Sequence, residues 1–121
     1  MPVSSPAEIP ASASLRLRLA ALVRAAALAT PGVVGLDAGR TGIRMTASDG
    51  LRVDGVVCAA LPDGRYQASV HLVAALVPLR PLADAVRARV QRDAAIAGLA
   101  ARLGPVDVAV EEVRAPAEAR P

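Results

Sequence analysis

His71 is the chain's single histidine and the one side chain here that titrates near neutrality unperturbed, so acid–base or metal chemistry would start from it. Asp107 and Glu111 lie in a later segment that alternates like a strand, and on a neighbouring strand either could pair with His71 as an acid–base couple or a partial metal site. One imidazole without a second nitrogen or sulfur ligand at metal spacing does not make a zinc site, and a histidine on a half-exposed strand is ordinary. Ser69 would project in the same direction as His71, but no Gly-x-Ser-x-Gly elbow accompanies it. Gly32, Gly35, Gly39 and Gly42 read as loop punctuation, because neither Gly-Lys-Ser/Thr nor a Gly-x-Gly-x-x-Gly opening a helix is present. Glu111 and Glu112 point to opposite faces of a strand, which suits a solvated strand end better than a shared proton. The lone Cys58 sits in the apolar run from Val56 to Leu61 and reads as a buried hydrophobe. No catalytic residue, metal or cofactor is therefore expected, and an enzyme is disfavoured.

The remaining chemistry is that of arginine. Residues 79–103 carry five Arg against two Asp, and a helix face with Arg80, Arg87 and Arg102 could neutralise phosphates. Exposed aromatic stacking groups, lysines, a helix-turn-helix and a Gly-x-x-Gly clamp are all missing, and Asp84 sits among the arginines. An Arg-rich face docking an acidic protein partner explains the same residues. A small RNA-associated domain is the alternative.

Composition narrows the class. Of 121 residues, 54% are hydrophobic, 21% charged and 1% aromatic, a length that suits one domain with a modest core. All 14 basic residues are Arg, and 28 positions are Ala. The formal charge of +3 is spread along the chain without a basic arm. One Cys allows neither an internal disulfide nor a multi-thiolate metal site. A membrane span needs about 18 consecutive apolar residues, and Arg24 interrupts the best stretch, Leu19 to Ala29. Arg16 and Arg18 before a stretch ending in Ala27-Leu28-Ala29 loosely imitate an export signal, but helical spacing accounts for these residues.

The elements follow from periodicity. Residues 1–13 and 114–121 lack an apolar period and read as disordered tails around a domain at 14–113. Leu15, Leu19, Leu22, Val23 and Ala26 form one helical stripe, capped by Ser12 or Ser14 and stopped by Pro31-Gly32. Leu17 and Leu28 fall away from that stripe and are expected on the surface. Val33 to Arg40 reads as a loop or short extended piece. Ile43 to Asp54 reads as a hairpin about Ser48-Asp49-Gly50, with a bulge at Gly55 before Val56 to Leu61. Tyr66 to Leu76 is the clearest strand. A second helix starts near Pro81 with Leu82, Val86 and Val90 inward, while Ile96, Leu99 and Leu103 form a stripe rotated by roughly 100°, so a break near Asp93 is expected. Val106, Val108 and Val110 alternate in a final strand. The order α-β-β-β-α-β predicts an α+β two-layer sandwich, with an antiparallel sheet of three to four strands and two main helices on one face. Leu17, Leu28, Arg80, Arg87, Arg92 and Arg102 are the candidate partner surface.

Several segments in this order resemble one family. A first helix running into Pro31-Gly32-Val33-Val34-Gly35-Leu36, a long strand with Val70-His71-Leu72-Val73, an Arg/Ala-rich helix from Pro81 to Val90, and a closing Val106-Asp107-Val108-Ala109-Val110-Glu111-Glu112-Val113 resemble the alkaline shock proteins, small envelope stress response proteins of Gram-positive bacteria. The resemblance covers about residues 14 to 114. It implies a nonenzymatic cytoplasmic protein held at the membrane through a separate anchor protein, capable of self-association and linked to envelope homeostasis. It supplies no catalytic residues. The chain departs from the family pattern at Ala109, where a histidine often stands, and in the register-shifted stretch from Asp93 to Leu103.

Overall fold

The computed structural model describes residues 9, 10 and 12–115. Residues 1–8, 11 and 116–121, within the expected tails, lie outside the described residues. The elements in chain order are α1 (Leu15–Leu28), β1 (Val33–Leu36), β2 (Met45–Ser48), β3 (Leu51–Asp54), β4 (Val56–Ala60), β5 (Tyr66–Ala75), α2 (Leu79–Ile96), a one-turn 3₁₀ helix (Ala100–Arg102) and β6 (Leu103–Arg114). This is a small α+β fold.

β5 forms the middle of a four-stranded sheet. On one side it pairs antiparallel with β4 through residues 66–70 and with β1 through residues 72–74. On the other side β6 runs along its whole length in parallel. The expected antiparallel sheet is thus a mixed one, because β5 reaches β6 through α2, and a strand returning after a helical crossover lies parallel to the first. Ala68, Val70, Leu72 and Ala74 on β5, with Val56 and Cys58 on β4, are buried beneath the helices. Gln67, Ser69 and His71 take the other parity and line the opposite face, half-buried.

β2 and β3 form a separate two-stranded ribbon joined by Asp49-Gly50, both with positive φ (55° and 76°), as a two-residue hairpin turn of this hand requires. Gly55 is the joint between ribbon and sheet and not a bulge inside a continuous strand. Its N–H donates to the Arg44 carbonyl at 2.7 Å and its carbonyl accepts from His71 at 2.9 Å. A Cβ there would lie 2.5 Å from Leu36 Cβ, at a φ of +84°, so only glycine lets the two segments approach this closely. Thr46 completes the joint. Its hydroxyl donates to the Val56 carbonyl at 2.8 Å and accepts from the Cys58 N–H at 3.2 Å, standing in for a missing strand rung against β4.

α1 is capped by Ser14, whose side chain accepts from the Leu17 N–H at 3.2 Å. Its buried residues run almost all the way round, including Leu17, Leu19, Ala20, Ala21, Val23 and Ala27. Sheet, α2 and ribbon all pack against it, and a helix enclosed on several sides is apolar on several sides. Leu17 is consequently 0% exposed, and its expected surface role is overturned: the ribbon and the residues preceding the helix enclose the side that a single stripe leaves open. Ile9 and Ala13, read from sequence as tail, are buried in the same core.

α2 is one continuous helix, and the expected break near Asp93 is absent. Leu82, Val86, Val90 and Ala94 extend the first stripe to the last turn. The helix then closes with Leu99 N–H bonded to Ala94 O at 2.8 Å and Gly98 N–H to Ala95 O at 3.1 Å, a Schellman ending. The rotated second stripe splits as a result. Leu99 packs on the core from beyond the helix end, Leu103 is buried at the start of β6, and Ile96 is left 78% exposed.

Candidate functional site

The outer sheet face carries a dense polar cluster, made of four groups that the backbone brings together from three segments. β1 ends at Leu36, and the Asp37 N–H donates to the His71 carbonyl at 2.9 Å, which fixes Asp37 beside the middle of β5. The loop then folds on itself. The Gly39 N–H donates to the Asp37 carboxylate at 2.8 Å and the Arg44 N–H to the Ala38 carbonyl at 2.9 Å, returning Arg44 to the same place. Glu111 arrives from β6 at a register shift: Leu72 pairs with Val110 and Val73 with Glu112, so Glu111 is the extra residue.

Glu111 Oε2 lies 2.8 Å from His71 Nδ1, and Oε1 lies 3.0 Å from an Arg44 guanidinium nitrogen that is also 3.7 Å from Asp37. The hydrogen bond from His71, helped by the nearby Arg44 charge, holds the Glu111 carboxyl below its ordinary value of 4.5. Of the two carboxylates that sequence placed near His71, Glu111 is the partner, while Asp107 accepts from Gln67. The Glu111–His71 contact replaces the expected solvated strand end. It resembles the orienting half of an acid–base device, but the Ser69 hydroxyl makes no hydrogen bond to His71, and Arg44 stands between the two carboxylates where a cation would go. Among the described residues, no group of three or more His, Cys, Asp or Glu side chains is arranged to hold a metal ion. The cluster acts as a clamp between the 37–44 loop, β5 and β6.

Cys58 is buried under α1, and burial pushes its thiol up to about 11, which makes it a poor nucleophile.

The arginines serve mainly as ties. Arg87 Nε donates to the Val106 carbonyl on β6 at 3.0 Å and also pairs with Asp84. Arg102 donates to the Gly64 carbonyl at 2.9 Å, with its guanidinium 6.0 Å from the Tyr66 ring centre. Arg92 pairs with Asp93, and Arg80 is exposed with no hydrogen bond or ion pair among the described residues. On α2, Arg80 and Arg87 share one flank and Arg92 lies roughly 140° away, while Leu28, at 38% exposure, ends α1. The six expected partner residues therefore do not form one patch. Arg89, absent from that set, is the more informative one: it donates to the Ala29 carbonyl at the end of α1 at 2.8 Å, pinning the two helices together. Its position five residues from Asp84 on a periodic helix gave no sign of that contact.

Five of the eight exposed large aliphatic side chains among the described residues lie at one end of the sheet. Ala74 pairs with Val33 on one side and Val113 on the other, so Val34 and Val113 flank the end of β5, from which Leu76, Val77 and Leu79 follow directly. Leu76 is 73% exposed. Beside this end, Pro31 and Gly32 face Pro78, Pro81 and Leu82 across a shallow apolar hollow.

No protein-family model, curated protein or solved structure matches the chain. No helix among the described residues is long and apolar enough to cross a membrane.

Proposed function

We propose that the protein is a nonenzymatic scaffold of the envelope stress response type, working through contacts with other proteins at the inner face of the cell membrane, where a separately anchored partner holds it. The observation that carries this reading is the gathering of Val34, Leu76, Val77, Leu79 and Val113 at one end of the sheet. Exposed aliphatic side chains concentrated at one end of a sheet are a mark of a surface that another molecule covers. The order of segments that resembles the alkaline shock proteins supports the same reading and supplies the membrane-proximal setting. The His71–Glu111–Arg44–Asp37 cluster is spent on holding the sheet together, which leaves the surface as the working part.

The test is affinity capture of the tagged chain from separated membrane and cytosolic fractions of its host, with mass spectrometry and nucleic-acid absorbance, beside a Leu76→Asp variant. The expected result is an integral membrane partner, free of nucleic acid, that Leu76→Asp releases. Recovery only from cytosol with nuclease-sensitive material would overturn the reading.

A further inference from the structure

Where α1 turns into β1, a groove runs along the flank of α2. Two adjoining hollows of about 340 Å³ each share Pro31 and Ala85 as common walls. One continues to Val77, Pro78 and Pro81, the other to Ala88, Arg89 and Arg92. On α2 the positions Pro81, Ala85, Arg92 and Ile96 fall within about 60° of one another, so the groove follows the helix for three turns, about 16 Å from Pro81 to Arg92. Ile96, 78% exposed, prolongs the same flank. Of the second apolar stripe only Ile96 ends up here: because α2 stays straight, it buries Leu82, Val86, Val90 and Ala94 and leaves Ile96 on the exposed neighbouring flank.

The ends of the groove differ in chemistry. The Pro31–Pro81 end is aliphatic. The other end carries Arg89, which bonds a carbonyl and has no acidic partner among the described residues, and Arg92, whose charge is offset only by Asp93. Among the described residues no carboxylate side chain lines either hollow. The local balance at that end is one net positive charge.

Building on the scaffold reading, we propose that this groove is the docking site for an amphipathic helix of a protein partner, about three turns long, with an apolar face toward Pro31 and Pro81 and a carboxylate that meets Arg89 and Arg92. The exposed alanines at 85 and 88 let a second helix come close, and a helix of about eleven residues spans the trough of about 16 Å. The carboxylate sets the direction in which the helix lies.

The experiment places a photoreactive benzoylphenylalanine at position 88 of the full chain in its host and maps any crosslinked segment by mass spectrometry. That segment is then made as a peptide and its affinity measured by fluorescence anisotropy against wild type, Arg92→Lys and Arg92→Glu. Expected are a crosslink to an apolar, helix-forming segment bearing Asp or Glu, retained binding in Arg92→Lys, and roughly tenfold weaker binding in Arg92→Glu. Circular dichroism confirms that each variant is folded. A crosslink to a basic or extended segment, to a second copy of this chain, or affinity indifferent to Arg92→Glu would overturn the proposal. If the tagged chain still captures a partner but position 88 never crosslinks, the groove assignment falls and the scaffold reading stands. If the chain captures nothing, both fall.

Discussion

Replacing Thr46 with Val tests how the ribbon is joined to the sheet. The two side chains have nearly the same shape, so the change removes the hydroxyl and little else. Thr46 is 0% exposed, and its hydroxyl serves both the Val56 carbonyl and the Cys58 N–H. Both backbone groups belong to the edge of β4 turned away from β5, and in the variant each loses the partner that the hydroxyl supplies. A buried backbone group left unsatisfied costs about 1–3 kcal/mol, so two cost about 2–6 kcal/mol. The extra methyl returns about 1 kcal/mol, and small shifts of the ribbon recover part of the rest. The net expectation is a loss of about 2–4 kcal/mol, which in a domain of this size lowers Tm by roughly 10–25 °C. Thr46→Ser keeps the hydroxyl and gives up one methyl, for about 1 kcal/mol. Urea unfolding followed by circular dichroism at constant pH separates the cases. A Thr46→Val midpoint equal to wild type, or a Ser variant as weak as the Val variant, would refute the view that the hydroxyl acts as a strand rung.

Leu17→Ala is expected to cost about 2–5 kcal/mol in the same assay, whereas Leu28→Ala, on a 38% exposed residue, should stay within about 1 kcal/mol of wild type. The lowered pKa of Glu111 means that the folded state binds its proton less readily than the unfolded chain, so the stabilisation is complete above the ordinary carboxylate range and is lost as pH falls through the lower folded value. The gap in urea midpoint between wild type and Glu111→Gln should accordingly shrink from pH 6 toward pH 2.5; a constant gap would show that the clamp does not contribute through this charge. With its thiol at about 11 and buried, Cys58 should react with a thiol reagent at pH 8 far more slowly than in urea, and rapid labelling of the native protein would contradict the burial.

Much of the fold was legible because single elements announce themselves. Ser48-Asp49-Gly50 marked the hairpin, Pro31-Gly32 the end of α1, and the parity of Tyr66 to Leu76 the central strand. What was not legible concerns how elements share surfaces. One apolar stripe on α1 concealed Leu17, since nothing local shows that a ribbon folded back at Gly55 would cover a second side. The rotated stripe around Ile96 suggested a broken helix, where the structure keeps α2 straight and leaves that side chain exposed. The parallel placement of β6 could have been inferred, because strand, helix, strand with 27 intervening residues is a crossover. Of the polar cluster, the His71–Glu111 pairing was within reach as one of two options. Arg44 and Asp37 were not, since their meeting depends on the self-bonded 37–44 loop.

The absence of lysine gains meaning from where the arginines go. Among the described residues Arg16, Arg24, Arg87, Arg89 and Arg102 each donate to a backbone carbonyl of a distant segment, so the helices are sewn to ribbon, turn and edge strand by guanidinium groups. An ammonium group would begin to lose its proton near pH 10, and a seam made of lysines would loosen there. A guanidinium keeps all its protons in any alkali the backbone itself survives, and a neutral carbonyl has none to lose. These five ties therefore contain no ammonium group to discharge where a lysine would.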